Sequence, residues 1–216
     1  MSNIYMYVVD RDFGFAPNPF HGYCTLATCK PKIRNNAEVE DWVIGMGGSR
    51  LNATGRCIFA MRVTEKITFN EYWTNPIFLD KKPIRNGSQK MMVGDNIYYH
   101  DSSSNEWSQA DSHHSKVDGS VNLDNLKKDI SSNKVLVSQH FLYFGREAPV
   151  VPHDLLNTIG YENRRNHRVF NDKTTIGINS LIEWLHNQGS LNQVIGDPFD
   201  FSDSEKRYSV NDNKVS

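Results

Sequence analysis

Short β-patterned runs fill the first two thirds of this chain, helical patterns gather in the last third, and the two never alternate regularly. That order is the strongest constraint on the fold. A doubly wound parallel sheet needs a helix between successive strands, and a solenoid needs an internal repeat. Neither is present. The pattern predicts an α+β domain built on a curved, mostly antiparallel sheet with peripheral helices.

Residues 4–9, IYMYVV, are aromatic and β-branched and read as a strand buried on both faces. Residues 23–28 read as a short strand or helical turn. Residues 42–45 read as a strand that ends in a glycine-rich hairpin turn at 45–49. Residues 56–65 carry the clearest strand pattern, with Cys57, Phe59, Met61 and Val63 on one face. Thr68 and Glu71 have capping-box spacing, which predicts a short helix carrying Tyr72 and Trp73 and ending before Asn75-Pro76. Residues 80–94 form a polar, basic loop. Further strands are expected at 96–99, from Trp107, at 135–138 and at 141–144, with a helix at 122–130. Pro152 and Gly160 bracket a helix at 152–159. Leu181, Trp184 and Leu185 make an apolar stripe on a helix at 179–188, capped by Asn179 or Ser180 and stopped by Gly189. One globular domain is expected over residues 1–201, followed by a disordered polar tail at 202–216.

The net charge of −1 supplies no global positive field for nucleic acid, so phosphate binding must come from local patches. No run approaches the ~20 apolar residues of a membrane span. The first residues lack the basic start and long apolar run of a signal peptide. Three cysteines, Cys24, Cys29 and Cys57, are an odd count. Together these features predict a cytoplasmic protein with reduced thiols and no membrane contact.

Segment 10–34, DRDFGFAPNPFHGYCTLATCKPKIR, concentrates the candidate chemistry. Loops this rich in rigid and reactive residues usually serve a surface site. Flat bases stack on aromatic rings, typically for ~1–3 kcal/mol each. Phe13, Phe15, Phe20 and Tyr23 lie in the segment and Trp42 opens the next strand. Asn18, held between Pro17 and Pro19, offers an amide donor and acceptor to a base edge. The plainer reading makes these aromatics a satellite core that anchors the loop.

Histidines 113 and 114 stand side by side in a polar stretch, with Asp118 close behind. One could act as general base or contact a phosphate; ordinary loop hydrogen bonding is the plainer role. Cys24, Cys29, His100 or Asp101 could add metal ligands, but no C-x-x-C or H-x-x-x-H spacing supports zinc, and neither a metal nor a cofactor is expected. Cys29 has Lys30, Lys32 and Arg34 as neighbours, and nearby positive charge favours the reactive thiolate. With His113 or His114 it could form a nucleophilic pair; a small buried cysteine under the loop is the commoner case. Cys57 lies on the core row of its strand and is structural.

Basic residues cluster at Lys30, Lys32 and Arg34, at Lys81, Lys82, Arg85 and Lys90, and at Arg164, Arg165, His167 and Arg168. Arg11 adds a further charge. Two clusters on one face would make a phosphate-binding stripe, whereas separate clusters are solvated surface. Turn 45–48 lacks the phosphate-loop pattern, and no G-x-S-x-G elbow, H-E-x-x-H helix or deaminase signature occurs.

Several blocks together resemble the nucleotide modification associated domain 2 family: RDFGFAPNPFHGYCTLATCKPKIR, DWVIGMGGS, ITFNEYW, GDNIYYHD, SHHSKVDG and FLYFG. They extend to about Gly145, with weaker similarity to about Pro198. The resemblance implies a role near base modification in phages and bacteria, often in conflict between them. It transfers no catalytic residue. The order of early strands, glycine turn and capped aromatic helix is similar to the opening of a PUA-like β-barrel, the fold of EVE and YTH domains that read modified bases. That likeness concerns the fold alone.

Three functions follow as expectations. The first is recognition of a modified base in DNA, RNA or a nucleotide. Asn18 would read the base edge, Phe15 or Trp42 would stack, and Arg11, Lys30, Lys32, Arg34, Lys81, Lys82 and Arg85 would hold phosphate. The second is an enzyme on the same pathway that uses Cys29, His113, His114 and Asp118. The third is an interaction subunit, as a homodimer or with a protein partner from the same operon. Geometry separates the first two: a Cys29 sulfur within hydrogen-bond reach of a histidine nitrogen, in an open cleft, favours catalysis, whereas a buried Cys29 with both histidines engaged in loop bonds counts against it.

Overall fold

The computed structural model describes residues 2–101, 103–104, 106–212 and 214–215. Strand β1 (Asn3–Val9) lies inside the main sheet, between β3 (Trp42–Gly47) in parallel and β10 (His167–Asn171) antiparallel. Its residues Ile4–Tyr7 and Val9 are buried, which explains its unbroken apolar sequence. The sheet continues through β4 (Cys57–Arg62), β9 (Phe141–Tyr143) and the short β11 (Gln193–Val194). The chain crosses from β1 to β3 through β2 (Cys24–Leu26) and helix α1 (Pro31–Asn36). Helices α5 (His153–Ile159) and α6 (Ile178–His186) add Leu156, Ile159, Ile178, Leu181 and Leu185 to the core of this sheet.

A second, three-stranded sheet pairs β2 with β8 (Val135–Ser138), and β8 with β5 (Glu65–Ile67). Period two sets its role. Leu136 joins the first core while Val135 and Val137 join a second one, so β8 stands between them. That second core holds Phe13, Phe15 and Phe20 with Phe69 and Tyr72 of α2 (Phe69–Thr74), Tyr98 of β6 (Tyr98–His100) and Leu126 of α4 (Leu123–Ile130). β6 pairs with β7 (Trp107–Gln109), and α3 (Gln89–Met92) is a single turn within the basic loop. The class is α+β. Among the described residues the sheets stay open and no barrel closes, unlike the PUA-like alternative. Among the described residues no helix is long and apolar enough to cross a membrane.

Several expectations are refined. The run 56–65 splits into β4 and β5 at a bend and passes from one sheet to the other. Cys57, Ile58, Phe59, Ala60 and Met61 are all fully buried, so both faces of β4 are core and its alternation carried no exposure signal. Gly45 is not a turn residue: it continues β3, and a side chain there would collide with the Phe59 ring. The capping box at Thr68 forms as expected, with Glu71 N donating to Thr68 Oγ1 at 3.2 Å and Thr68 N donating to Glu71 Oε2 at 2.7 Å. α6 starts after Gly177 rather than at Asn179 or Ser180, and Asn187 rather than Gly189 ends it. The polar tail, expected to be disordered, packs against the loop of His113 in the described residues. Strand β12 (Tyr208–Ser209) pairs with β13 (Lys214–Val215), and Tyr208 N donates to His113 O at 3.1 Å. Backbone bonds and an Arg207–Asp111 ion pair at 3.2 Å hold a segment that has little apolar surface to bury.

Candidate active site

The chain leaves β2 through Ala27 and Thr28 and turns sharply at Cys29 and Lys30, whose φ angles are 55° and 40°. Two successive non-glycine residues in the left-handed region cost roughly 1–3 kcal/mol each unless their surroundings fix them. Here Asp129 Oδ1 accepts from Cys29 N at 2.7 Å, and Arg34 Nε donates to Cys29 O at 2.8 Å. Arg34 also donates to the carbonyls of Asp129, Ser132 and Lys134 at 2.5, 2.8 and 2.6 Å, tying the Cys29 turn to the end of α4.

On the opposite side, residues 111–115 form a compact loop. Gln109 Nε2 and Asn125 Nδ2 both donate to His114 O, at 3.0 and 2.9 Å. The Phe15 ring packs 4.7 Å from the His114 ring, centroid to centroid. So braced, His114 Nδ1 meets Asp129 Oδ2 at 2.9 Å and Nε2 stands 3.9 Å from Cys29 Sγ. The Tyr98 hydroxyl donates to the same Asp129 oxygen at 2.9 Å. Cysteine, histidine and aspartate are therefore in line. His114 and Asp129 are buried, and Cys29 is half-buried.

The electrostatics follow from that line. Burial pulls the His114 pKa down, but Cys29 and Asp129 outweigh it and lift the imidazole to about 9. Burial alone would raise the Asp129 carboxyl; His114, Arg34 and the Tyr98 hydroxyl hold it below the usual carboxylate range. Burial raises the other thiols, Cys24 to about 12 and Cys57 higher still. Ligand atoms of Cys29, His114 and Asp129 lie within 4.8 Å of one another. Each Asp129 oxygen already accepts hydrogen bonds, Oδ1 from Cys29 N and Oδ2 from Tyr98 and His114, so the donor set suits an oriented nucleophile better than a metal centre.

The other expected site residues scatter. Asn18 is fully buried: its amide nitrogen donates to Gly14 O and Val93 O at 3.1 and 2.8 Å, and its oxygen accepts from Lys81 Nζ at 2.7 Å. It locks the loop and has no free edge for a base. Lys81 is buried too, with further bonds to Asn18 O and Tyr23 O at 2.9 and 2.7 Å, and burial lowers its pKa to about 8. Arg34 is a brace and not a phosphate contact. Phe15 is a wall of the second core. Trp42 pairs with Ile4 and meets the His140 and His186 rings in T-shaped contacts beside a cavity of about 390 Å³, in a cluster separate from Cys29. Lys82 Nζ lies 3.7 Å from the Trp73 ring centroid, and Arg85 pairs with Asp111 at 2.9 Å on a cavity of about 430 Å³. The guanidinium of Arg11 stands 5.3 Å from the Tyr208 ring centroid.

His113 is buried with Nδ1 against Lys206 O; burial and the neighbouring His114 charge push its pKa down to about 3. It anchors the tail. Asp118 is exposed in a turn and accepts from Ser120 N and Oγ at 2.9 and 2.6 Å, so it is not the third member of the line. Asp129 is, and the sequence reading missed it. A signal existed: on helix 122–130, Asp129 shares the inward face with Asn125 and Leu126, where an unpaired acid would be unusual.

The fold and this line of residues define an α+β protein with a cysteine–histidine–aspartate centre. Residues 1–205 match the family described as nucleotide modification associated domain 2, and the chain belongs to that family. The description ties the protein to nucleotide modification. No curated protein and no solved structure matches the chain.

Proposed function

We propose that this protein is an enzyme of a nucleotide-modification system that bonds Cys29 Sγ covalently to an electrophilic carbon, either of a nucleotide base or of a group attached to one. The observation that carries this reading is the line from Sγ through both imidazole nitrogens to Asp129, at 3.9 and 2.9 Å. His114 Nε2 takes the thiol proton, Asp129 steadies the imidazolium at Nδ1, and Nε2–H later returns the proton to the departing or saturated atom of the substrate. Such acid–base help is worth about 10²–10⁴-fold in rate. We place the reaction in the cytoplasm, where a free thiol stays reduced. Recognition without chemistry has less support, because Asn18, Arg34 and Lys81 are committed inside the scaffold.

The test is intact-protein mass spectrometry after incubation with 5-bromo-deoxyuridine monophosphate and N4-acetyl-deoxycytidine monophosphate, which carry electrophilic carbons at the ring and at a substituent. A covalent adduct on the native protein that is missing from Cys29→Ala supports the reading. No adduct, together with a Cys29 alkylation rate equal to that of a free thiol, overturns it.

A further inference from the structure

The surroundings of Cys29 carry a charge pattern that the triad does not use. Lys30 follows the cysteine directly, and its ammonium lies 4.2 Å from the Tyr7 ring centroid. Tyr7 is paired across the sheet with His167, which brings the third basic cluster beside the first. Alternation sorts that cluster: His167 shares the Tyr7 face, whereas Arg168 pairs with Met6 and points to the other side. Lys32 extends from α1, and α4, which packs on α1, brings Lys128.

These groups feel one another. Burial and then Lys30 and Lys32 depress His167, while Lys128 adds to the effect of burial on Lys30. Asp10 and Cys29 are the negative groups acting on Lys30, yet none of Lys30, Lys32, Lys128 and His167 forms an ion pair with a carboxylate among the described residues. Lys32 and Lys128 are exposed, and Lys30 and His167 are half-buried. Three lysines and a histidine gathered together, with no carboxylate in ion-pair contact among the described residues, make a local anion site on a protein of net charge −1.

We propose that Lys30, Lys32, Lys128 and His167 bind a phosphate group of the substrate beside Cys29. Its use in presenting a carbon to Cys29 rests on the enzymatic reading above; phosphate binding itself does not. A free nucleotide and a polynucleotide offer the same group. Lysine suits it as a compact point charge, and each phosphate contact on a polynucleotide releases counter-ions and steepens the salt dependence.

The test uses Cys29→Ala protein, in which no chemistry can occur, with fluorescence anisotropy of a labelled single-stranded oligonucleotide and of a labelled mononucleotide. We expect binding of at least one probe that weakens with salt, and a loss of tenfold or more in Lys32→Glu/Lys128→Glu protein whose circular dichroism melt remains cooperative. For the oligonucleotide, the double variant also flattens the salt slope. Failure of both probes to bind, or equal binding by the double variant, overturns the inference. Alkylation of Cys29 in wild-type protein reports the triad separately, so loss of phosphate binding with an activated Cys29 removes this inference and leaves the enzymatic reading standing.

Discussion

Replacing Asp129 with asparagine removes one negative charge with almost no change of shape. The carboxylate accepts from Cys29 N, the Tyr98 hydroxyl and His114 Nδ1, so the change strikes a buried, charged network. Breaking such a network costs ~3–5 kcal/mol. The pH dependence is more telling. His114 rises from 6.5 to about 9 in the folded protein, which at about 1.4 kcal/mol per pH unit is roughly 3 kcal/mol in favour of the imidazolium. A raised pKa contributes stability that is complete below pH 6.5 and lost as the pH climbs through about 9. Cys29 and Asp129 both contribute to that effect, so Asp129 supplies part of it, on the order of 1–2 kcal/mol. Urea unfolding of both proteins at pH 6 and pH 9.5 measures it. Lys81, Asp12 and Asp95 also have shifted pKa values, but they are common to both proteins and cancel in the difference. The penalty of Asp129→Asn should shrink at the higher pH, by on the order of 1–2 kcal/mol. An equal penalty at both values would refute the His114–Asp129 ion pair.

Other expectations follow from the same contacts. Arg34→Ala leaves four carbonyls without their donor and frees the Cys29 turn. It should cost ~3 kcal/mol or more in urea unfolding and slow Cys29 alkylation. Lys81→Ala strands the acceptors of Asn18 and Tyr23 inside the second core. A loss of ~3–5 kcal/mol is expected in the same measurement, and a loss under 1 kcal/mol would contradict the burial argument. Asp118→Asn touches only an exposed turn, so stability should change by less than about 0.5 kcal/mol and the Cys29 alkylation rate should not move.

Local chemistry was legible in the sequence where a short motif sufficed. Thr68 and Glu71 announced their helix start, Gly160 its helix end, and the ITFNEYW and SHHSKVDG blocks the family. Long-range partners were not. Asn18 looked like a base reader because its flanking prolines suggested a rigid surface tip; nothing nearby revealed that Lys81 and Val93 would close over it from more than sixty positions away. Arg34 looked like a phosphate contact because it stands in a basic cluster, yet three of its four acceptors lie about a hundred residues downstream. Cys29 and His114 stand out in the sequence, but Asp118 lies nearer to His114 along the chain than Asp129 does. Sequence proximity favoured the wrong carboxylate, and the tertiary packing of α4 supplies the right one. In the sequence the His167 strand shows only a basic cluster, and its neighbourhood with Lys30 comes from sheet pairing alone.

The proposed reaction requires His114 to activate Cys29. Iodoacetamide labelling of native protein at pH 7, mapped by peptide mass spectrometry, tests it most directly. A cysteine with an ordinary pKa near 8.5 is a few per cent thiolate at that pH, so full ionisation would speed labelling by up to ~30-fold. Rapid labelling is expected at Cys29, with protection of the buried Cys24 and Cys57 and a rate at least several-fold slower in a folded His114→Gln variant. Equal rates in the two proteins, or labelling spread over all three cysteines, would contradict it.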